Sequence, residues 1–166
     1  MLEKRKFTLK NSKKNLYKSF SSGVVNVVFG KRCEIIEPVN LYGCKIGNDV
    51  FVGPFVEITK GVEIGNSTRI SSHSFVCELV KIGNKCFIGH GVMFTNDTFS
   101  NGKLGGGKKN WKKTLIGNNV LIGSNATILP VKINSGCVIG AGSVVTKDCL
   151  IKGIYAGNPA RLIRKI

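Results

Sequence analysis

Five polar residues in one short stretch carry the chemistry to be expected of this chain: His73, Glu78, His90, Asn96 and Asp97. Both histidines of the sequence are among them. An imidazole titrates near neutrality and suits the task of taking a proton from a nucleophile. The carbonyl end of the Asn96 amide can accept a hydrogen bond from a bound ligand, and a carboxylate such as Glu78 can orient that amide or itself accept from the ligand. Asp97 can accept from a hydroxyl or an amine. The spacing between Glu78 and Asn96 takes its meaning from the repeat that surrounds them.

Nine hydrophobic residues recur every six positions: Ile46, Val52, Ile58, Ile64, Ile70, Val76, Ile82, Ile88 and Phe94. Two residues before each stands a small or β-branched residue, from Cys44 and Val50 through to Val92. The residue after each is often Gly or small, as at Gly47, Gly53, Gly65, Gly83 and Gly89. A helix needs apolar residues at i, i+3, i+4 and i+7, and this pattern fails that template. A period of six is the signature of a parallel β-helix. Each hexad supplies a short strand and a corner, and three hexads close a triangular coil. Coils then stack about 4.8 Å apart, and stacking buries what one coil alone leaves exposed. Residues three hexads apart therefore share a face, one coil apart. Glu78 and Asn96 stand at that spacing and are predicted neighbours. His90 sits one hexad before Asn96, on an adjacent face.

The repeat stops at residues 98–113 and resumes at Ile116, Ile122 and Ile128. Ile133 arrives one position early, which predicts a one-residue deletion at that corner. Ile139, Val145 and Ile151 continue the period of six. Residues 30–45 are apolar but out of phase, and read as an irregular first coil. The predicted organisation is a basic N-terminal segment at 1–30, a solenoid over 31–155 with an insertion at 98–113, and a C-terminal tail at 156–166. A long insertion in a solenoid is usually functional. This one begins beside Asn96 and Asp97 and holds a run of glycines, five lysines and the only Trp. It suits an arm over a ligand or against a neighbouring subunit.

Six cysteines raise a disulfide or zinc reading, which the phase removes. Cys44, Cys86, Cys137 and Cys149 fall on the small inward position and Cys77 on the Gly-like one, with no CxxC pair. They read as small buried hydrophobes in a reducing compartment. A zinc site like that of β-helical carbonic anhydrases needs three converging histidines, and the chain has two, so no metal is expected. No apolar run spans a membrane and no signal peptide is visible, so a soluble, cytoplasmic protein is expected. The net charge of +16 suits a site for phosphorylated ligands. A nucleic-acid partner is not expected, because no aromatic-interleaved basic motif or groove-reading helix appears.

Two C-terminal stretches, Gly140–Asp148 (GAGSVVTKD) and Ala156–Ile163 (AGNPARLI), closely resemble the end of the left-handed β-helical, hexapeptide-repeat acyltransferases. The resemblance covers about residues 37–166. Within the family, the segments VNLYGCKIGNDVFVGPFVEI, SSHSFVCE and FIGHGVMFTND resemble N-acetyltransferases of nucleotide-linked 3-amino sugars. That branch commonly continues FTND with a Tyr-Pro-Arg-like segment, where this chain has Thr98, Phe99, Ser100 and Asn101.

The resemblance implies an all-β, left-handed parallel β-helix. The hand comes from the resemblance alone, since right-handed crossovers dominate parallel strands. It also implies a homotrimer with active sites between subunits, acetyl-CoA as acyl donor, and a UDP- or dTDP-linked amino sugar as acceptor. The corners at Gly123–Ser124 and Ala141–Gly142 would run along the pantetheine. Lys147, Arg161 and Arg164 would meet the CoA phosphates, and Asn158, Pro159 and Ala160 would shape the adenine end. Lys103 and other loop lysines would bind the nucleotide diphosphate. Transfer would be direct, in a ternary complex, with a backbone N–H at a corner Gly facing the developing oxyanion. The proton acceptor is His90, His73 or the departing CoA sulfur. An O-acetyltransferase on a sugar or small alcohol is the rival enzyme, and it would need a true His base. A non-catalytic trimeric scaffold is the rival of another class.

Overall fold

A computed structural model describes residues 7–12, 15–100, 102 and 108–166, with backbone only for 7–20. The chain from Val24 onward is a parallel β-solenoid of about seven turns with three flat faces, consistent with the left-handed β-helix. Face I stacks seven strands from Val24–Val25 to Val144–Val145. Face II stacks six from Val28–Phe29 to Lys132–Ile133. Face III stacks seven parallel strands from Glu34–Ile35 to Gly153–Gly157 and closes on the antiparallel strand Ala160–Lys165.

The phase read from the sequence is the phase of the core. All nine hexad hydrophobes are buried, as are the small residues two before them, Cys44 to Val92. The central coils keep a three-hexad register, with Ile46, Ile64 and Ile82 stacked on face II. Across the insertion Lys81 pairs with Leu115. That offset is one regular coil plus the length of the 98–113 insertion. Leu115 pairs with Lys132, so the predicted deletion lies where Ile128 gives way to Ile133. Two inward hydroxyls are satisfied by the coil above: Thr68 Oγ1 donates to Gly83 O at 2.9 Å and Ser74 Oγ to Gly89 O at 2.9 Å.

Three expectations change. The solenoid begins at Val24 rather than at 31, because Val24, Phe29 and Ile35 pair with Leu41, Ile46 and Val52. Each of those pairs is one position short of three hexads, so counting by whole hexads misses the register. The preceding residues form an antiparallel hairpin, Phe7–Ser12 with Asn15–Phe20. Ile151 is 48% exposed; Cys149 bridges to Ile133 and Tyr155 pairs with Ile139. The last coil is therefore shorter than the regular ones, which pushes Ile151 outward. The C-terminal residues are a paired strand on face III rather than a tail.

All six cysteines are free, and all but Cys33 are buried. Burial pushes the Cys44 and Cys77 thiols up to about 11 and that of Cys149 up to about 12. These groups stay neutral and unreactive at physiological pH. Among the described residues no cluster of His, Cys, Asp or Glu is fit to hold a metal, and no helix is long and apolar enough to cross a membrane.

Candidate active site

The corner between faces I and II carries a groove of about 560 Å³. Its floor is one stacked column, Tyr42, Thr59, Cys77 and Thr95, which the strand register aligns on successive coils. Four coils at about 4.8 Å make that floor about 14 Å long. Phe75 and Met93 of face I line one side, and Phe99 and Trp111 come from the two ends of the insertion. Glu78, Asn96 and Asp97 supply the polar groups.

The predicted neighbours meet. Asn96 Nδ2 donates to the backbone carbonyl of Glu78 at 3.2 Å. A carbonyl can pair only with the N–H₂ end of the amide, so Asn96 Oδ1 remains to accept from a ligand. The Glu78 carboxylate does not orient Asn96. It holds the far end of the insertion, with Lys108 Nζ at 3.0 and 2.8 Å from its two oxygens. Lys112 N donates to Asn96 O at 2.8 Å, and Phe99 N donates to Asp97 Oδ1 at 2.8 Å. Both ends of the insertion are thus tied to the corner that bears Asn96. Lys103 lies outside the described residues.

The histidines are elsewhere. His73 and His90 occupy the corner between faces III and I. His90 Nδ1 is 2.8 Å from Oγ of Ser72, which stands one coil before it. His73 holds the left-handed corner position (φ 63°), and its ring lies 4.9 Å from that of Phe55. Face I therefore separates both histidines from Asn96 within one chain.

The predicted CoA corners continue the histidine column. His90 O accepts from Asn125 N at 2.7 Å, and Ser124 O from Gly142 N at 2.8 Å. A Cβ on Gly123 would lie 2.5 Å from Ala141 N, so only glycine lets these coils approach. Ala141 and Gly142 are exposed, and a Cβ on Gly142 would meet open space. The result is an edge of small residues. The turn at Asn158, Pro159 and Ala160 extends that edge, with Gly157 N donating to Ser143 Oγ at 3.2 Å. Arg161 and Arg164 are exposed on the closing strand. Lys147 follows Val145 at the face I–II corner and does not join this edge.

Sequence reasoning missed Lys108 as the partner of Glu78, Ser72 as that of His90, and the floor at Tyr42 and Thr59. The one-coil spacings from His90 to Ser72 and from Cys77 to Thr59 were available signals. Nothing in the repeat signals Lys108 or the aromatic walls, which lie in or beside the insertion.

The seven-turn solenoid thus carries a groove walled by both ends of the insertion at one corner and a ledge of small residues at another. The bacterial transferase hexapeptide (six repeats) model matches residues 43–78, and the hexapeptide repeat of succinyl-transferase matches 113–147. The transferase repeat is thus found on both sides of the insertion, which supports placing the chain among hexapeptide-repeat transferases. The bifunctional protein GlmU of Clostridium botulinum (strain Kyoto / Type A2) is 39% identical over 105 residues, 63% of this chain and 21% of that protein. The chain spans about a fifth to a quarter of the length of the curated relatives it matches. The polySia specific acetyltransferase NeuO is 28% identical, with a TM-score of 0.58 over 84% of this chain and 81% of that one. AntD, an N-acyltransferase from Bacillus cereus solved as a mutant with dTDP-4-amino-4,6-dideoxyglucose and coenzyme A, has a TM-score of 0.64. It is 24% identical, over 84% of this chain and 83% of that one, so the likeness is one of fold.

Proposed function

We propose that the protein is an acetyl-CoA-dependent N-acetyltransferase acting on the 3-amino group of a UDP- or dTDP-linked amino sugar destined for surface polysaccharide. One observation carries this reading: Asn96, held by the Glu78 carbonyl at 3.2 Å, presents an amide oxygen with no partner among the described residues in a groove walled by Phe99 and Trp111. AntD, which shares the fold, binds coenzyme A and a dTDP-linked amino sugar, and this lends the reading support.

Acetyl-CoA supplies an activated acyl group. The chain's own residues supply orientation, which can account for much of a transfer barrier. Asn96 Oδ1 accepts from the acceptor amine and aims its lone pair. Asp97 receives a neighbouring sugar hydroxyl. Glu78 acts through Lys108, tying the end of the insertion that bears Trp111 to this corner. A neutral amine is already a nucleophile, so attack needs no strong base beforehand; as the C–N bond forms, the thioester C–S bond breaks, and the amine's surplus proton passes to the departing CoA sulfur or to a histidine. A site that uses both Asn96 and the small-residue ledge must join corners from two subunits, because face I lies between them. A homotrimer with active sites between subunits meets that requirement.

The O-acetyltransferase reading draws on one specific observation. Ser72 fixes the His90 ring through Nδ1, which leaves Nε2 to take a proton from a hydroxyl. The deciding experiment offers acetyl-CoA with UDP- and dTDP-linked 3-amino sugars and with the matching 3-hydroxy sugars, and follows thiol release. Release with the amines alone supports N-acylation. Release with the hydroxyl sugars alone overturns it.

A further inference from the structure

The charge of this chain is unevenly spread. Asp148 is the only acidic residue from 98 to 166, a stretch rich in lysine and arginine. Its Oδ1 accepts from the backbone N of Lys132 at 2.8 Å. Lys147, Lys152 and Lys165 are exposed in and beyond the last coil, and none of them is ion-paired among the described residues. The same end of the solenoid is apolar. Leu150, Ile151, Leu162, Ile163 and Ile166 are all exposed there, Ile163 by 62%. These side chains stand close together. Ile166 N donates to Lys152 O at 3.4 Å. Lys165 pairs with Gly153, and Leu162 packs so closely on Gly153 that a Cβ there would lie 2.5 Å from Leu162 Cδ1. Ile163 is left without a partner at the bulge in that pairing.

A solenoid needs a terminal cap with a polar outer face, because its core would otherwise open to water. Here the outer face mixes large aliphatic side chains with ammonium groups, and a cluster of exposed aliphatics marks an interaction surface. The mixture defines the partner. A nucleic acid would use the ammonium groups and leave the aliphatic side chains in water. A second copy, end to end, would bury the aliphatics but set lysine against lysine. An anionic lipid surface satisfies both: headgroup phosphates meet the lysines, and the aliphatic side chains enter the boundary with the acyl chains. The opposite end of the solenoid exposes Val24, Val28, Phe29 and Ile36, but beside Glu34 and Glu37, whose carboxylates oppose such a surface. We infer that the C-terminal end of the solenoid is a docking surface for an anionic lipid bilayer. Leu150, Ile151, Ile163 and Ile166 lie at the headgroup boundary, and Lys147, Lys152 and Lys165 meet the phosphates. The chain rests on the bilayer without crossing it, and the inference stands apart from the acyl-transfer reading.

The full chain is floated with vesicles of phosphatidylcholine alone and of phosphatidylcholine mixed with phosphatidylglycerol. It should bind the mixed vesicles at least about tenfold more tightly than the neutral ones, and less tightly as salt rises. Ile151→Ser with Ile163→Ser, and separately Lys152→Glu with Lys165→Glu, should each weaken that binding about tenfold or more. Lys45→Glu with Lys85→Glu makes the same change in net charge away from this end and should leave it unchanged. All six positions are exposed, so the fold should survive, as far-UV circular dichroism checks. Arg161 and Arg164, the expected phosphate contacts of the acyl donor, stay in place, so thiol release should match the parent chain in every variant. Equal binding to neutral vesicles, no binding to mixed ones, or an equal loss in the Lys45 and Lys85 variant overturns the docking surface. So does retention of an oligonucleotide without vesicle binding, which would give the lysines to a nucleic acid. Self-association that the serine variant abolishes, again without vesicle binding, would give the aliphatic cluster to a second copy and overturn it as well.

Discussion

Replacing Ile82 tests the inward–outward phase on which the whole assignment stands. Ile82 is 3% exposed and stacks on face II between Ile64 and Ile116. The coils around it are tied by Gly65 N to Ile82 O at 2.8 Å and Gly83 N to Ile116 O at 2.9 Å. Those bonds hold the coil spacing, so a void at residue 82 cannot collapse. Core Ile→Ala changes cost about 2–5 kcal/mol, more where the site stays open. Ile82→Ala should therefore cost about 3–5 kcal/mol. Ile82→Asp also places a carboxyl in an apolar interior, adding several kcal/mol even if it protonates. The sum reaches the whole stability of an ordinary domain, about 5–15 kcal/mol, so this variant should be largely unfolded. Lys81 is the control. It is the preceding residue in the same strand, points outward, and loses only the 2.9 Å pair with Glu63. Lys81→Ala should cost about 1 kcal/mol or less. Urea unfolding followed by far-UV circular dichroism, at one fixed protein concentration, measures all three. Equal costs for Ile82→Ala and Lys81→Ala would refute the phase.

His73→Ala and His90→Ala should each lower kcat modestly if the acceptor is an amine; a loss of thousands-fold in either marks a base acting on a hydroxyl. Asn66→Ala removes the Oδ1 that accepts from Asn48 N at 2.8 Å, one rung of a ladder of asparagines along the face II–III corner. It should cost about 1 kcal/mol in urea unfolding, and no measurable change would mean water replaces the rung. The buried cysteines make a pH prediction. Their folded pKa values lie above the ordinary 9.0 of the unfolded chain, at about 11 for Cys44 and Cys77 and about 12 for Cys149. Above pH 9 the unfolded chain binds fewer protons than the folded one, so stability falls as pH rises from about 9 towards 11–12. Denaturation midpoints should drop across that window. Replacing Cys44 and Cys149 by Ala and Val should flatten the drop, and an unchanged slope would show that other groups cause it.

Much of the fold was legible because a hexad makes inside and outside a local matter. Ile58 and Val56 point inward for the same reason at every coil, so counting by six finds them. The one-residue deletion before Ile133 was equally plain, since the period itself measures it. The first coil and Ile151 were misread because coils shorter than three hexads slip the phase, and that slip is absorbed by corner geometry. The neighbours Glu78 and Asn96 followed from counting three hexads. Which atoms they would use did not, because a hydrogen bond depends on the relative height of two corners, and here it joins Asn96 to a backbone carbonyl.

The sequence by itself determined the period, the buried column and the adjacency of residues one coil apart, because each rests on local alternation repeated many times. Only the tertiary structure decided what crosses between corners. It placed both histidines an entire face away from Asn96, beside the Gly123–Ser124 ledge. It brought Lys108, at the far end of the insertion, back to the Glu78 carboxylate. An insertion has no period to count, so where its ends return is set by contacts that form only once the coils are stacked.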